Sequence, residues 1–286
     1  MDNLDLVRRF YAEEIRAVAN VQSDALIDAF AKVPRESFLG AGPWQITSYN
    51  AGLTGEDYRT TKDDDPKHIY HNVLVVIEQG RHLNGQPSGL ARWLDALNLC
   101  EGERVFHVGC GVGYYTAIVA EVVGSRGHVV AIELDAAIAA RARKNLAHLK
   151  HVELIQGDAC DYDPVSCDAI FVNAGVANPR MAWLESLKPH GRLVLPLSTC
   201  AGRGAMLRVT REDAGYGARF LFPVTVSPGT GFHEENANQL LHDAFRDKSW
   251  KAVQSLRHDP HPPHDTCWLH GDDFCLSTLS LDVSSR

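Results

Sequence analysis

The stretch VFHVGCGVGYYTA, Val105 to Ala117, starts as an apolar run, breaks on three glycines and resumes without a further breaker. Such a pattern reads as a buried strand ending in a glycine loop that opens a helix, expected from Tyr114 to about Val123. Backbone amides of a glycine loop at a helix N-terminus can approach an anionic or polar group closely. The glycines are Gly109, Gly111 and Gly113, which is GxGxG. The dinucleotide pattern is GxGxxG, and Tyr114 stands where its third glycine is needed. A bulky ring there disfavours tight pyrophosphate approach. No Gly-Lys-Ser/Thr follows, so a P-loop is excluded.

Strand and helix alternate outward from this loop. ERVFHVG, HVVAIEL (128–134), VELIQGD, DAIFVNA (168–174) and RLVLPLS read as strands. Between them 114–123, 136–149 and 180–187 read as helices. This alternation predicts an α/β fold: a Rossmann-like, doubly wound, mostly parallel sheet with helices on both faces. Upstream, Leu4, Val7, Tyr11, Ile15 and Val18 mark one apolar helix face. A second helix runs from the N-cap Ser23 to Val33, stopped by Pro34. The region to Tyr70 is an ordered loop anchored by Phe38, Trp44, Tyr49, Tyr58 and Tyr70. VLVVI (73–77) is a short strand and NGQPS (84–88) a turn before a helix over 89–99. Beyond Ser198, AMLRVTRE and ARFLFPVTV read as antiparallel strands, followed by a helix near 236–245 and a last strand, CLSTLSLDV. Three segments result: N-terminal helices and loop (1–72), the Rossmann-like core (73–198) and a β-rich C-terminal extension (199–286).

Two carboxylates fall where an adenosine needs them. Glu133 ends the strand about twenty residues past the loop, placed to take ribose hydroxyls, with Leu134 beside it. Asp158, with Ala159, follows the next strand and can accept from an exocyclic amine. Loop and carboxylates project from the carboxyl edge of the sheet, where open α/β folds bind ligands. The combination points to S-adenosylmethionine, with NAD as the alternative.

Bulk properties narrow the class. The 286 residues carry a net charge of -8, 45% hydrophobic and 22% charged side chains, the balance of a globular protein. The acidic excess argues against nucleic acid as partner. No apolar run approaches membrane-spanning length, and the amphipathic start is unlike a signal peptide, so a cytoplasmic protein is expected. Seven cysteines at scattered spacings, without CxxC, read as reduced thiols. The sequence carries no signal for oligomeric state.

The arrangement resembles the class I adenosylmethionine-dependent methyltransferases and, more specifically, the protein-L-isoaspartate O-methyltransferase family. VPRESF (33–38), GQPSGLARWLDAL (85–97), VGCGVGYYTAIVAE and LKPHGRLVLPLS carry the resemblance, over roughly residues 1–200. It implies that Gly109, Gly111, Gly113, Glu133 and Asp158 hold the cofactor and that the Gln86–Pro87 turn lies over the site of methyl transfer. Two departures mark a divergent member. Gly85-Gln86-Pro87 stands where the family has Ser-Gln-Pro, and His107 stands where it has a glutamate before the glycine loop.

The candidate cofactor residues are therefore His107, Gly109, Cys110, Gly111, Gly113, Tyr114, Glu133, Leu134, Asp158, Ala159 and Asn173. Gln86, His107, Asn173 and His233 are the candidate catalytic residues. His107 has two readings: a neutral histidine satisfying loop backbone, or a base. VNAG (172–175) lacks the Asn/Asp-Pro-Pro-aromatic pattern, which argues against adenine or glutamine N-methylation. The expected reaction is O-methylation of a carboxylate in a peptide, protein or small metabolite. The alternatives are a small-molecule N- or O-methyltransferase, an NAD-linked oxidoreductase, or a binding module without turnover. The His- and Pro-rich segment from His258 to Cys275 fits no familiar zinc spacing and reads as a stiff surface loop, with no metal expected.

Overall fold

The computed structural model describes residues 3–47, 57–78, 82–232, 234–246 and 248–281. The chain forms two compact units: Met1–Gly102 with Cys110–Gln156, and Glu103–Gly109 with Gly157–Arg286. The glycine loop is one of the places where the chain passes from one unit to the other.

In the first unit, α1 (Asn3–Ala19) buries Tyr11, Ala12 and Ile15, whereas Val18, expected on the same face, is exposed. Helix α2 (Asp24–Lys32) is capped by Ser23, whose hydroxyl accepts from the Leu26 amide at 3.2 Å. The short α3 (Glu36–Leu39) follows Pro34 and Arg35. A small antiparallel sheet of order β2-β1-β3-β4 joins β1 (Gln45–Thr47) and β2 (Tyr58–Thr60), from the stretch expected as loop, to β3 (Val75–Glu78), which overlaps the expected strand 73–77, and β4 (His82–Asn84). Tyr49 lies outside the described residues. Helix α4 (Pro87–Asp95) begins two residues before the expected Gly89, because Pro87 can take the first helical position without losing a hydrogen bond. Helix α5 (Tyr114–Val123) spans its expected residues and is buried nearly all round, as suits an apolar helix without a polar face. Strand β6 (His128–Glu133), helix α6 (Ala136–Leu146) and strand β7 (Val152–Gln156) complete the unit, with β6 and β7 parallel.

The second unit holds β5 (Arg104–Val108), which runs parallel to β8 (Cys167–Val172), itself parallel to β9 (Leu187–Ser198). Helix α7 (Met181–Ser186) connects β8 to β9. The start of β5 is fixed at both ends of a polar patch. The Arg104 amide donates to Asp168 at 2.8 Å, and the half-buried Arg192 forks onto Glu103 at 2.7 and 2.9 Å. Beyond β9 the pairing turns antiparallel, as the extension predicts, through β10 (Arg203–Glu212) and β11 (Gly215–Thr225). Helix α8 (Glu235–Ala244) follows. Three short strands extend the sheet in the order β12 (Ser255–Arg257), β14 (Cys275–Ser277), β13 (Cys267–His270). Of these only the last in sequence was expected, and it is shorter than CLSTLSLDV. No described helix is long and apolar enough to cross a membrane.

Candidate active site

In the first unit the glycine loop is held from below. The Cys110 amide donates to Ile132 O at 3.2 Å, and Asn145 donates through Nδ2 to Val112 O at 2.9 Å. Gly111 and Gly113 sit at φ +55° and +91°, the left-handed region that glycine enters without strain. Among the described residues, chain neighbours apart, no atom lies within 4 Å of where a Cβ on Gly111 would stand, so the loop presents an open backbone face. Gly113 is the N-cap of α5 and has no side chain to satisfy the first-turn amides, which leaves a donor-rich helix end.

Glu133 borders that face and is fixed by it. Its Oε2 accepts from the Gly111 amide at 2.8 Å and its Oε1 from the Asp135 amide at 3.1 Å. Each oxygen keeps a lone pair, so a pinned carboxylate stands ready for two hydroxyl donors. Leu134 is 42% exposed, an apolar surface next to that carboxylate. Tyr114 differs from its expectation. Its ring is buried in an aromatic cluster with Tyr11, Phe30, Phe38 and Tyr115, so only its backbone belongs to the loop. The Cys110 thiol is likewise buried, and burial pushes it well above the ordinary thiol range.

The Gln86–Pro87 turn lies in the same unit. Tyr115, the second residue of α5, donates its hydroxyl to Gly85 O at 2.6 Å. Gln86 is exposed and donates to Asn72 O at 3.3 Å, and Asn72 Oδ1 accepts from the Ser88 amide at 2.9 Å. Upstream, Asn84 Oδ1 accepts from Arg35 Nε and Nη2 at 3.2 and 2.9 Å. Arg35 is wholly buried and also donates to Ile69 O, His71 O and Val73 O. One guanidinium thus gathers 69–73 and the approach to Gly85. A Cβ on Gly85 would stand 2.6 Å from Leu90 Cδ2, so the space of the family's serine is taken up by a leucine.

In the second unit β5 and β8 end side by side. Gly109 sits at φ +73°, and a Cβ there would stand 3.1 Å from Asn173 O. The Asn173 amide donates to Val108 O at 2.9 Å, and its side-chain Nδ2 reaches Gly109 O at 3.4 Å. Asp158 Oδ1 accepts from the Cys160 amide at 2.8 Å, and Ala159 is buried beside it. The segment 226–232, which follows β11, is laid against this end. Gly175 donates to Ser227 O at 2.9 Å, Gly229 donates back to Gly175 O at 2.8 Å, and Ala177 donates to Phe232 O at 3.1 Å. His233 lies outside the described residues.

His107 is a core residue of β5. It is 0% exposed, and its ring lies 4.7 Å from that of Phe171 at a tilt of 32°. Burial lowers its pKa to about 3, so the imidazole is neutral throughout the working range. A wholly buried ring cannot reach an acceptor, so its expected place among the catalytic residues does not fit this geometry. Four residues of the segment read as a surface loop, His261, Cys267, His270 and Cys275, bring their ligating atoms together within 4.8 Å of one another.

Comparison with known proteins decides the lineage. The model of the protein-L-isoaspartate(D-aspartate) O-methyltransferase family matches residues 56–219. The chain belongs to this family. A protein-L-isoaspartate O-methyltransferase of Archaeoglobus fulgidus is 33% identical over 74% of this chain and 88% of its own length. One from Ignicoccus hospitalis is 28% identical over 78% of this chain and 95% of its own. Among solved structures, a protein-L-isoaspartate O-methyltransferase superposes with a TM-score of 0.61 at 24% identity, covering 87% of this chain and 72% of the other. The Plasmodium falciparum protein described as a putative member, in complex with S-adenosyl-L-homocysteine, gives 0.61 at 19% identity over 78% and 99%. The fold is accordingly Rossmann-like α/β. The protein is an S-adenosylmethionine-dependent methyltransferase, and the NAD-linked and non-catalytic alternatives fall away. The open Gly111 face and the pinned Glu133 carboxylate fit that cofactor.

Proposed function

We propose that the protein methylates the carboxylate of an isoaspartyl or D-aspartyl residue in a protein or peptide. The observation that carries this reading is the bond from Tyr115 to Gly85 O, which ties the Gln86–Pro87 turn to the helix opened by the glycine loop. In the resembled family that turn covers the site of methyl transfer.

The cofactor supplies an electrophilic methyl group on a sulfonium. In the first unit Gly111, Gly113 and the backbone of Cys110 and Tyr114 would meet its amino-acid portion and Glu133 its ribose, with Leu134 beside that carboxylate. In the second unit Gly109, Asp158 and Ala159 are the residues assigned to the cofactor. The acceptor carboxylate is ionised at neutral pH and already nucleophilic, so no general base is required. A neutral, buried His107 agrees with chemistry of this kind. What remains for the chain is positioning, which can supply much of the rate for an in-line displacement. Gln86, exposed at the N-cap of α4, is the first unit's candidate to offer an amide to the acceptor, and Asn173, at the end of β8, is the second unit's.

The test is incubation with a methyl-labelled cofactor and two peptides of one sequence, one isoaspartyl and one aspartyl. Base-labile methanol released from the isoaspartyl peptide alone is the expected result. Labelling of both peptides, or of neither, would overturn the assignment.

A further inference from the structure

We propose that His261, Cys267, His270 and Cys275 form a tetrahedral binding site for zinc in the C-terminal extension. The four residues come from three pieces of backbone. His261 lies in the loop after β12, Cys267 and His270 on β13, and Cys275 on β14. The antiparallel register of β13 and β14 sets His270 directly across from Cys275 and Cys267 across from Ser277. Cys267 and His270 are three residues apart, a spacing that a regular strand turns to opposite faces. The register shift between Cys267 and Leu269 breaks that alternation, and both ligands converge with the first residue of β14.

The distances agree with a shared ion. Tetrahedral zinc holds sulfur at about 2.3 Å and nitrogen at about 2.0–2.1 Å, which separates ligand atoms by roughly 3.3–3.8 Å. Cys267 Sγ and His261 Nε2 are 3.5 Å apart, and all four ligating atoms lie within 4.8 Å of one another. A modest contraction of such a cluster completes the shell.

The surroundings orient the ligands as metal sites require. His261 Nδ1 is 2.7 Å from Asp259 O and donates to it, which leaves Nε2 as the lone pair facing Cys267. A carbonyl partner on the remote ring nitrogen is the usual support of a ligating histidine. Asp259 is itself held, its carboxylate forked by Arg257 at 3.0 and 2.6 Å. His270 Nδ1 is buried with no hydrogen-bond partner among the described residues, a polar atom left unsatisfied in a small β element. The rings of His261 and His270 stand 4.8 Å apart at 79°, so they converge without stacking on each other.

The donor set selects the ion. Two thiolates and two imidazoles in a tetrahedral arrangement suit zinc, and four protein ligands leave no open position for catalysis. The site is therefore structural. Strands β12, β13 and β14 are three or four residues long, too short to be stable on their own, and a cross-link among them supplies what a small core does not. Pro260, Pro262 and Pro263 stiffen the loop that brings His261 in.

The experiment uses the full-length protein produced in zinc-supplemented medium. Elemental analysis should find one zinc per chain, and exchange with cobalt(II) should give the visible bands of a tetrahedral ion with a thiolate charge-transfer band. Cys275→Ser and His270→Gln should each lose most of the bound metal. S-adenosylhomocysteine binding should survive in at least one of them, as evidence that the variant is folded. Should both variants fail to fold, the cobalt spectrum of the wild-type protein still decides. Absence of zinc and of cobalt uptake, an octahedral cobalt spectrum, or a Cys267–Cys275 disulfide found by mass spectrometry would overturn the proposal.

Discussion

Exchanging Glu133 for glutamine tests how the glycine loop and the ribose site depend on one side chain. The carboxylate accepts two backbone amides, from Gly111 at 2.8 Å and Asp135 at 3.1 Å, and is 9% exposed. Glutamine keeps one acceptor oxygen and turns an NH2 group towards the other amide. Hydrogen bonds to a charged group contribute about 1.5–3 kcal/mol each, so losing one costs folding stability about 2 kcal/mol. For a protein of this size that is a fall of about 3 °C in melting temperature. A ribose hydroxyl on the same carboxylate loses its charged acceptor as well. Its loss weakens S-adenosylhomocysteine binding by about 10- to 150-fold. Thermal unfolding and calorimetric titration of Glu133→Gln read the two effects separately. Cofactor affinity within about threefold of wild type would refute the ribose assignment, and an unchanged melting temperature would refute the claim that Glu133 pins the loop.

Three further outcomes are expected. His107 has a pKa of about 3 when folded against 6.5 when unfolded, so the unfolded chain takes up its proton first. The stability this neutral ring provides is complete above about pH 6.5 and is lost as pH falls towards about 3, amounting to about 2 kcal/mol by pH 5. Urea unfolding of His107→Gln at about pH 7.5 and pH 5 should show an acid loss smaller by that amount than in wild type. Gly113→Ala forces a side chain into φ +91° with a Cβ 2.8 Å from Leu146 Cδ1. It should cost about 1–3 kcal/mol in stability, measured by thermal melting, and weaken cofactor binding with it. Tyr115→Phe removes the bond to Gly85 O, about 1 kcal/mol, so kcat/KM for the acceptor should fall about fivefold while S-adenosylhomocysteine affinity stays level. Equal losses in both would place Tyr115 in the cofactor site instead.

The parts legible in the sequence were those with long, consistent local signals. Helix α5 could be read to the residue because a glycine at φ +91° precedes it and Gly124 ends it. Strands β5, β6 and β8 were legible as apolar runs of buried parallel strands, and the half-exposed β7 from its place in the strand–helix alternation. In the small sheet, β3 was legible from VLVVI, whereas β2 and β4 were not, since YRT and HLN are three residues long, polar and without alternation. His107 looked like a site residue because a polar side chain beside a glycine loop invites a function. Its burial against Phe171 depends on the β5–β8 register, which local sequence does not specify. Arg35 carried one signal, a cation at the junction of two buried segments, but its partners lie 34 to 49 residues away. The Cys and His residues of the extension were visible one by one. Their convergence is a product of strand pairing between β13 and β14, and H-x5-C-x2-H-x4-C has no spacing by which to announce it.

The segment 226–232 gives the extension a consequence for how the enzyme can be trimmed. Gly175 and Ala177 obtain backbone partners from Ser227, Gly229 and Phe232, residues that only a chain running past β11 can provide. A chain shortened to end at Ser198 would leave those groups facing water at the very edge where β8 finishes. The tail is thus part of the scaffold that finishes β8, and a version cut at Ser198 would lose the backbone partners of Gly175 and Ala177.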